Sequence, residues 1–338
     1  MTRKKGDLVM LETQLTKMFG IKYPIQCGTM HGITLAELTA AVANAGGFCC
    51  ISSAFFQTRD EFMDEIKKTR DLTDQPFGVN VGLFPAMRDL PVEERLDWVT
   101  DSGVTILETA GRSPEPYRDR IRSAGLIHIH KCARLRDAVK VDKMGVDVVS
   151  IVGTECGGHP SMEEVTSLIL APLTAESISA PLIVGGGFCD GKTLVAGLAL
   201  GADAVNMGTR FMSTLECPIH PNAKQAIMDA REFDTMLVMK AYMNPSRVLK
   251  TPWAEKILDM ELKGASIEEL APYISGDVGR KGWQQGNITE GMMGMGQTAG
   301  RITNCPTVAE TIQSIVKEAE AVLERLSSLR QGDISSHN

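Results

Sequence analysis

Residues 180–211 read APLIVGGGFCDGKTLVAGLALGADAVNMGTRF, and this stretch decides the fold. An apolar run ends at glycines 185–187, residues 191–201 have helical spacing, and a second apolar run ends at Gly208. One glycine pair after a strand would more often mark a tight turn. However, glycine lets backbone N–H groups approach an anion, and a helix start adds positive charge. Two such loops in succession predict a phosphate cradle after strands seven and eight of a (β/α)₈ barrel.

The chain before residue 180 supplies the other strands of such a barrel. Short runs rich in Val, Ile and Leu alternate with amphipathic stretches, as expected for a parallel sheet covered on both faces. The runs predicted as strands are 23–28, 48–53, 76–83, 104–111, 127–132 and 146–153, and the helices predicted between them include 35–45, 59–70, 92–101, 116–124 and 135–144. The sequence therefore predicts an α/β fold, a TIM (β/α)₈ barrel.

The C-terminal part is predicted to be an added helical segment. We place the barrel core, with strands one to eight, in residues 1–220, and a segment that covers the barrel mouth and completes the outer helix ring in 221–338. The helical patterns are at 222–230, 252–263, 267–273 and 307–326, and the last is expected to cover the barrel. Between them, 279–286 and 291–300 are rich in glycine and methionine, which is compatible with a flexible loop or with backbone packed closely over a planar ligand.

Composition excludes several classes of protein. The 338 residues carry 35 basic and 42 acidic side chains, a formal charge of −7, without a long basic run, so nucleic-acid and membrane partners are not expected. No apolar run approaches about 18 residues and the N-terminus lacks a signal-peptide core, which favours a cytoplasmic protein. The eight cysteines are scattered without a Cys-x-x-Cys pair, so we expect reduced, buried thiols and no metal site.

Chemistry should lie at the C-terminal ends of the strands, where barrel enzymes build their sites. His159 follows two glycines after strand six, and its ordinary pKa near neutrality suits proton transfer, although capping of the next helix would also explain it. Lys131 could meet a ligand charge or pair with an acid such as Glu155. Asn80 could bond a heterocycle or satisfy backbone groups. His31, in the first loop, is a weaker candidate because loop histidines are usually solvated.

Seven segments of the chain resemble the nitronate monooxygenase family, formerly called 2-nitropropane dioxygenase. The segments are 19–26, 76–80, 107–111, 129–132, 155–160, 185–191 and 206–211. The resemblance runs from about residue 13 to 325 and is strongest to a branch of bacterial NADH:quinone reductases, whose motifs also match at 216–221 and 284–286. As a set these motifs are specific.

This resemblance implies a TIM barrel that holds FMN non-covalently with its ring at the barrel mouth. The implied site is: FMN phosphate at Gly185, Gly186, Gly187, Gly208 and Thr209; further cofactor contacts from Gly28, Met30, Asn80, Lys131, Gly158, Met207 and Gln285; His159 as the catalytic residue near flavin N5; and His31 and Pro85 at the substrate and its mobile lid. NAD(P)H would be the co-substrate. Because the sequence lacks a Rossmann fingerprint, the nicotinamide would bind across the flavin face.

The chain departs from the family pattern in two loops close to the expected flavin. Gly28-Thr29-Met30-His31 stands where Gly-Gly-Met-Gln is usual, and residues 156–158 read Cys-Gly-Gly where Ala-Gly-Gly or Cys-Ala-Gly is usual. The favoured function is an NAD(P)H:quinone or related acceptor reductase. A nitronate monooxygenase, an enoyl-thioester reductase and a non-catalytic flavin sensor are the alternatives. The partner is expected to be a small molecule, and a homodimer is compatible with the sequence.

Overall fold

The computed structural model describes residues 11–83 and 90–331 and confirms the predicted barrel. Eight parallel strands pair in sequence order, and β1 closes the ring by pairing with β8. The strands are β1 (Ile25–Cys27), β2 (Phe48–Ser52), β3 (Gly78–Leu83), β4 (Ile106–Gly111), β5 (Ile127–Cys132), β6 (Val148–Val152), β7 (Leu182–Gly185) and β8 (Ala204–Met207). Each lies within a run that the sequence predicted.

Helices follow the first seven strands and form most of the outer ring. They are α2 (Ala36–Asn44), α3 (Arg59–Leu72), α4 (Val92–Ser102), α5 (Arg118–Ser123), α6 (Leu135–Met144), α7 (Ser167–Ala175) and α8 (Gly191–Ala199), after the N-terminal α1 (Gln14–Phe19). Gly103 and Gly145 end α4 and α6 in the left-handed conformation, with φ of 69° and 81°. A residue without Cβ adopts this conformation readily, so these glycines are effective helix stops.

The eighth place in the helix ring is taken by the C-terminal helix α14, as expected. Its range is Val308–Gln331, and it packs against α8 and α2. A Cβ on Gly191, the first residue of α8, would lie 2.3 Å from the backbone nitrogen of Ala319. The two helices can therefore approach this closely only with glycine there. Glu318 also accepts a 2.8 Å hydrogen bond from the Gly191 N–H.

The C-terminal segment is mainly helical, as predicted, and it also contains a short hairpin that was not predicted. After β8 the chain forms α9 (Thr209–Met212), and the segment from residue 221 contains α10 (Pro221–Asp229), β9 (Thr235–Val238), β10 (Ser246–Leu249), α11 (Pro252–Leu262), α12 (Ile267–Ile274) and α13 (Gly276–Gln284). Strands β9 and β10 form an antiparallel pair outside the barrel. Each strand has only four residues, and the loop between them lacks the Asn-Gly or Asp-Gly signature of a short hairpin, so the sequence signal was weak.

The barrel interior changes from apolar to polar along its axis. At the N-terminal end, Phe48, Ile129 and Ile183 pack with Leu15 and Phe19, so α1 closes that end. Farther along, the inward positions carry buried polar side chains, namely Gln26, Asn80, Glu108, Ser150 and Asn206. The strand registers place these residues beside one another on the inner face. The functional site is thus expected at the C-terminal mouth.

Two further expectations from composition can be compared with the structure. All eight cysteines are free thiols, six of them buried and two, Cys156 and Cys305, partly buried. Within the described part of the chain, none of the helices combines the length and the apolar character needed to cross a bilayer.

Candidate active site

A cavity of about 1090 Å³ opens at the C-terminal ends of the strands. Its wall includes Gly28 from the first loop, Asn80 from β3, Lys131 from β5, the loop around His159, and the glycines after β7. Ligand pockets usually measure about 300–1,000 Å³, so this cavity has room for a cofactor and a substrate together. The structure brings most of the residues predicted for the site to one place.

The floor of the cavity rests on a fully buried carboxylate, that of Glu108. Its two oxygens accept hydrogen bonds from Gln26 Nε2 (2.9 Å), Thr29 Oγ1 (2.9 Å), Asn80 Nδ2 (2.8 Å) and Lys131 Nζ (2.9 Å). Burial alone would raise the pKa of Glu108, but the charge of Lys131 and these hydrogen bonds outweigh it and hold the pKa below its ordinary value. The ionised carboxylate therefore positions the three donors that line the cavity, Thr29, Asn80 and Lys131.

Glu108 is not among the site residues predicted from the sequence, although the sequence contains a signal for it. Glu108 is the one charged residue in the otherwise uncharged strand Ile106–Gly111, at a position facing the barrel interior. A charge within a buried strand needs a partner of opposite sign. From the sequence, Glu155 is the acid named as the possible partner of Lys131, if Lys131 does not meet a ligand charge. In the structure Lys131 pairs with Glu108 at 2.9 Å, whereas Glu155 accepts hydrogen bonds from Ser167 N and Oγ.

The predicted phosphate cradle has the conformation that only glycine adopts easily. Gly186 and Gly187 have φ of 91° and 85°. A Cβ on Gly186 would lie 2.9 Å from Ser167 Oγ, which is within hydrogen-bonding distance of the Gly185 and Gly186 carbonyls, at 2.9 and 2.7 Å. On the next strand Gly208 precedes the short helix α9, and the hydroxyl of Thr209 accepts a 3.0 Å hydrogen bond from the Gly296 N–H. The two glycine loops lie side by side because β7 and β8 are neighbours.

His159 stands at the mouth of the cavity on a loop that the outer hairpin holds in place. Gly158 and Arg247 exchange two backbone hydrogen bonds of 3.1 and 2.6 Å, so β10 fixes the residue before His159. The ring is accessible from the cavity, and the surrounding protein lowers the pKa of His159 by displacing water. At neutral pH the imidazole is therefore uncharged. Burial raises the pKa of the nearby Cys156 thiol to about 12, so this cysteine is protonated.

The C-terminal segment forms one wall of the cavity, through α13 and the backbone at 294–296. Arg280 and Trp283 line the cavity, whereas Gln285 is exposed and lies outside it. Two residues correspond to about 200° of rotation around a helix, which turns position 285 away from the face that carries Trp283. Residues 279–284 are helical, and Gly296 packs against Gly157, where a Cβ would lie 2.8 Å from Gly296 N. That contact matches the close-packed interpretation of 291–300.

The remaining predicted residues have different surroundings. His31 and Met30 line the cavity, and the pKa of His31 is lowered by burial and by the charges of Arg280 and Arg95. Met207 is fully buried within the main hydrophobic core, and its carbonyl accepts a 3.0 Å hydrogen bond from the Gly28 N–H. Its side chain therefore packs behind the site. Pro85 lies outside the described residues.

A chain of hydrogen bonds that the sequence analysis missed reaches the cavity from behind β5. Thr109 Oγ1 lies 2.7 Å from His128 Nε2 and 2.7 Å from His130 Nδ1, and His130 lines the cavity. Burial lowers the pKa of each histidine to about 4, so both rings are neutral at physiological pH. The threonine hydroxyl has one proton, so it donates to one ring and accepts from the other.

Comparison with known proteins identifies the family to which the chain belongs. The family model described as nitronate monooxygenase matches residues 12–91 and 84–318. The chain belongs to the nitronate monooxygenase family. It is an oxidoreductase of the flavin-dependent type that this family comprises. The predicted family is thereby confirmed, whereas its quinone reductase branch stays a prediction.

Relatives in this family carry several different names. A Rhodococcus jostii protein, 30% identical and matched over 95% of this chain and 99% of its own, is named (3aS,4S,5R,7aS)-5-hydroxy-7a-methyl-1-oxo-octahydro-1H-indene-4-carboxyl-CoA dehydrogenase. A Staphylococcus saprophyticus protein, 26% identical over 93% of this chain and 99% of its own, is named probable nitronate monooxygenase. Among solved structures, FabK from Thermotoga maritima has a TM-score of 0.88 and 31% identity, covering 94% of this chain and 99% of that one.

The residues around the cavity fit a flavin. Three buried polar atoms of the described barrel interior, Gln26 Oε1, Ser150 Oγ and Asn206 Oδ1, have no hydrogen-bond partner in the protein. Such atoms are costly unless something satisfies them, and Asn206 lines the cavity. A Cβ on Gly28 would lie 2.8 Å from Asn206 Oδ1, so glycine keeps this amide accessible. A polar heterocycle above a glycine-lined phosphate cradle agrees with this arrangement.

Proposed function

We propose that this chain is an FMN-dependent oxidoreductase that reduces the conjugated double bond of an acyl thioester, using NAD(P)H as the hydride source. The observation that carries the proposal is the cavity, which is continuous from the glycine cradle past His159 to an outer rim at α6 and exceeds the space that one cofactor needs. The Rhodococcus jostii relative, whose name includes a carboxyl-CoA, supports the thioester class. FMN is proposed because one phosphate cradle is present at β7 and β8.

Different residues of the cavity would hold different parts of the cofactor. Gly186, Gly187 and Gly208 would receive the phosphate at the strand ends, where helix starts favour anions. Asn80 and Lys131, fixed by Glu108, would bond the polar edge of the ring or its ribityl chain. When bound, the flavin supplies the two-electron chemistry by taking up and releasing hydride. Lys131 brings a positive charge to a site that must stabilise an electron-rich ring.

His159 is the residue proposed to handle the proton. Reduction of a conjugated thioester adds one hydride and one proton across the double bond, so the site needs a proton donor next to the substrate. The imidazole of His159 is open to the cavity and is neutral at pH 7 because its pKa is lowered. The lowered pKa makes the protonated ring a stronger acid, so an imidazolium formed by uptake of a proton from water can pass that proton to the substrate and return to the neutral form, while the pairing of Gly158 with Arg247 holds its backbone. His159 is therefore the proposed catalytic residue.

The motifs that favoured the quinone reductase branch have structural roles here. Glu216 accepts hydrogen bonds from the Val308 N–H at 3.0 and 2.9 Å, at the start of α14. His220 caps α10, and its ring nitrogen accepts from the Asn222 N–H at 3.1 Å. Gln284 and the following glutamine are exposed. These residues support the packing of the C-terminal segment, so they do not indicate which acceptor the protein uses.

Anaerobic stopped-flow absorbance near 450 nm tests the proposal. Purified flavoprotein is mixed separately with NADH, NADPH and an alkyl nitronate, and the reduced protein is then mixed with a 2-enoyl-CoA or a quinone. Bleaching by a pyridine nucleotide and reoxidation by the enoyl-CoA are expected. Reoxidation by the quinone alone would establish the quinone reductase instead, and bleaching by the nitronate alone would establish a monooxygenase. No bleaching by any of the three would favour a flavin sensor.

The variant His159→Gln tests the proposed proton donor in the same experiment. Flavin content and bleaching by pyridine nucleotide should stay near the wild-type level, while reoxidation by enoyl-CoA should slow by about 10²–10⁴-fold, the usual contribution of a general acid. His220→Gln, a change of the same type outside the cavity lining, is the matched control for the loss of an imidazole. Unchanged reoxidation in His159→Gln would remove this histidine from the mechanism.

A further inference from the structure

We propose that the outer arm of the cavity binds the phosphorylated adenosine end of the substrate or co-substrate. The outer arm lies between the loop after β4 and the first turns of α6; its lining residues are Arg112, Ser113, His130, Arg134, Arg136, Asp137 and Lys140. This inference rests on the proposed function, because it assigns a place to the nucleotide portion of a CoA thioester. It also applies to a phosphorylated dinucleotide, which presents the same chemistry.

The outer arm is basic in an acidic protein. Four lining side chains are cationic, namely those of Arg112, Arg134, Arg136 and Lys140, whereas the anionic lining groups near them are Asp137 and Glu163. With Glu115, which pairs with Lys140, the four positive and three negative charges leave an excess of +1, while the whole chain has a formal charge of −7. A local charge opposite in sign to that of the molecule concentrates anions at this place.

The cations of the outer arm form ion pairs with carboxylates, and they can leave these partners to bind a ligand. Arg134 Nε lies 2.6 Å from Asp137, Lys140 Nζ lies 2.9 Å from Glu115, and an Arg136 nitrogen lies 3.9 Å from Glu163. The cationic side chains are 39%, 56% and 68% exposed, respectively. Exposed pairs of this kind contribute little to stability, so the cations can turn to a phosphate with little loss.

The backbone at the start of α6 adds to this preference for anions. The helix runs for ten residues, and its N-cap residue, Arg134, makes no side-chain capping hydrogen bond. Arginine has no acceptor atom, so it cannot satisfy the N–H groups of the first turn as Ser, Thr or Asp would. A phosphate oxygen would satisfy these groups and would also interact with the positive end of the helix dipole.

A buried histidine at the floor of the arm supplies a second, independent indication of a ligand. His130 is 2% exposed and lines the cavity, and its Nδ1 is engaged by Thr109, which leaves Nε2 as the nitrogen open to a ligand. If His128 donates to Thr109 and Thr109 donates to His130 Nδ1, then His130 Nε2 carries a hydrogen. An anion in the outer arm would favour this arrangement, because the Nε2–H group of His130 can then donate a hydrogen bond to it.

Isothermal titration calorimetry on the flavin-loaded protein tests the inference with three probes: adenosine 3′,5′-bisphosphate, adenosine 2′,5′-bisphosphate and uncharged adenosine. Binding of a bisphosphate, weakened by salt and at least about tenfold tighter than adenosine, is expected, since a charge-assisted hydrogen bond contributes about 1.5–3 kcal/mol. A preference for the 3′,5′ isomer indicates the end of coenzyme A, and a preference for the 2′,5′ isomer indicates NADP(H). Affinities equal to that of adenosine would overturn the inference.

The variant Arg112→Gln/Lys140→Gln locates the binding site. Bisphosphate affinity should fall at least about tenfold, whereas Lys143→Gln, at the far end of the same helix and outside the cavity lining, should leave it unchanged. Equal affinities of the double variant and the wild type would overturn the inference, because the anion would then bind elsewhere. If the bisphosphate binds here and enoyl-CoA is not reduced, the inference that the outer arm binds a nucleotide is supported, and the proposed function is refuted. If enoyl-CoA is reduced and the double variant keeps the wild-type KM for both enoyl-CoA and NADPH, the inference about the outer arm is overturned while the proposed function is supported.

Discussion

Replacing Glu108 by Gln should destabilise the protein strongly, because it leaves the charge of Lys131 without its partner. Glu108 is fully buried and the Lys131 side chain is 17% exposed. Removing one member of a buried pair usually costs about 3–5 kcal/mol, and the slight exposure of Lys131 favours the lower end. The new amide also places an N–H₂ group among four donors. At about 2 °C per kcal/mol for a chain of this size, we expect Tm to fall by about 6 °C or more.

A double-mutant cycle separates the ion pair from the general effect of substitution. Unfolding of wild type, Glu108→Gln, Lys131→Met and the double variant is followed by circular dichroism without added flavin, so that cofactor binding does not contribute. Lys131→Met leaves a carboxylate buried without its cation, whereas the double variant leaves neither charge. The double variant should therefore be more stable than the sum of the single effects predicts, by about 2 kcal/mol. Asp71→Asn, which breaks the exposed pair with Lys67, should cost under about 0.5 kcal/mol.

The pH dependence provides an independent check on the same carboxylate. The folded-state pKa of Glu108 is lowered, so its contribution is present above the ordinary carboxyl pKa of 4.5 and is lost as the pH falls below that value. The stability difference between wild type and Glu108→Gln should accordingly narrow below about pH 4.5. A Glu108→Gln variant within about 1 kcal/mol of wild type at pH 7, or strictly additive effects in the cycle, would refute the assignment of Glu108 as the charged centre of the floor.

Two further predictions concern the cradle and the buried histidines. Gly186→Ala should lose flavin affinity and stability, because its φ is 91° and the added Cβ would lie 2.9 Å from Ser167 Oγ; Gly125→Ala, with φ of 67° and open space around it, should retain flavin in a fluorescence titration. His128 and His130 have folded pKa values of about 4 against an ordinary 6.5, so each contributes about 3 kcal/mol above pH 6.5 that is lost as the pH falls toward 4. Thermal unfolding from pH 7 to 4 should show a smaller fall of Tm in His130→Asn than in wild type, and equal falls would contradict the low pKa.

The barrel could be predicted because each of its strands and helices is specified by a sequence pattern within the element itself or at its ends. Parallel strands covered on both faces must be continuous apolar runs, and glycines such as Gly103 and Gly145 stop the helices between them. The outer hairpin β9–β10 lacks such a cause, because its strands have only four residues each and no turn signature joins them. It is specified by its contacts with other parts of the chain, in particular the pairing of Arg247 with Gly158, and such contacts are not visible in a window of sequence.

The candidate site could be predicted only where it depends on position along a strand. The glycine loops, Lys131 and His159 lie at or just beyond strand ends, Asn80 lies within β3, and the barrel brings the C-terminal ends of all strands to one face. The partner of Lys131 depends instead on which side chains point into the barrel at the same level along its axis. The register between β4 and β5 determines that level. The exposed position of Gln285 depends in the same way on the formation of α13, which the glycine-rich sequence did not indicate.

The polar interior explains why a barrel of this kind should depend on its cofactor. An unsatisfied buried polar group costs about 1–3 kcal/mol, and Gln26 Oε1, Ser150 Oγ and Asn206 Oδ1 all lack partners within the described protein. Of these three residues Asn206 lines the cavity, so an apolar side chain there would stabilise the barrel but would remove a group that a flavin can bond. The buried charge of Glu108 is instead compensated by four donors of the protein itself, which also fixes Asn80 and Lys131 in the cavity wall. The barrel thus combines a carboxylate network that orders the site without ligand and a buried amide, Asn206, that a ligand can satisfy, so folding and cofactor binding are thermodynamically linked.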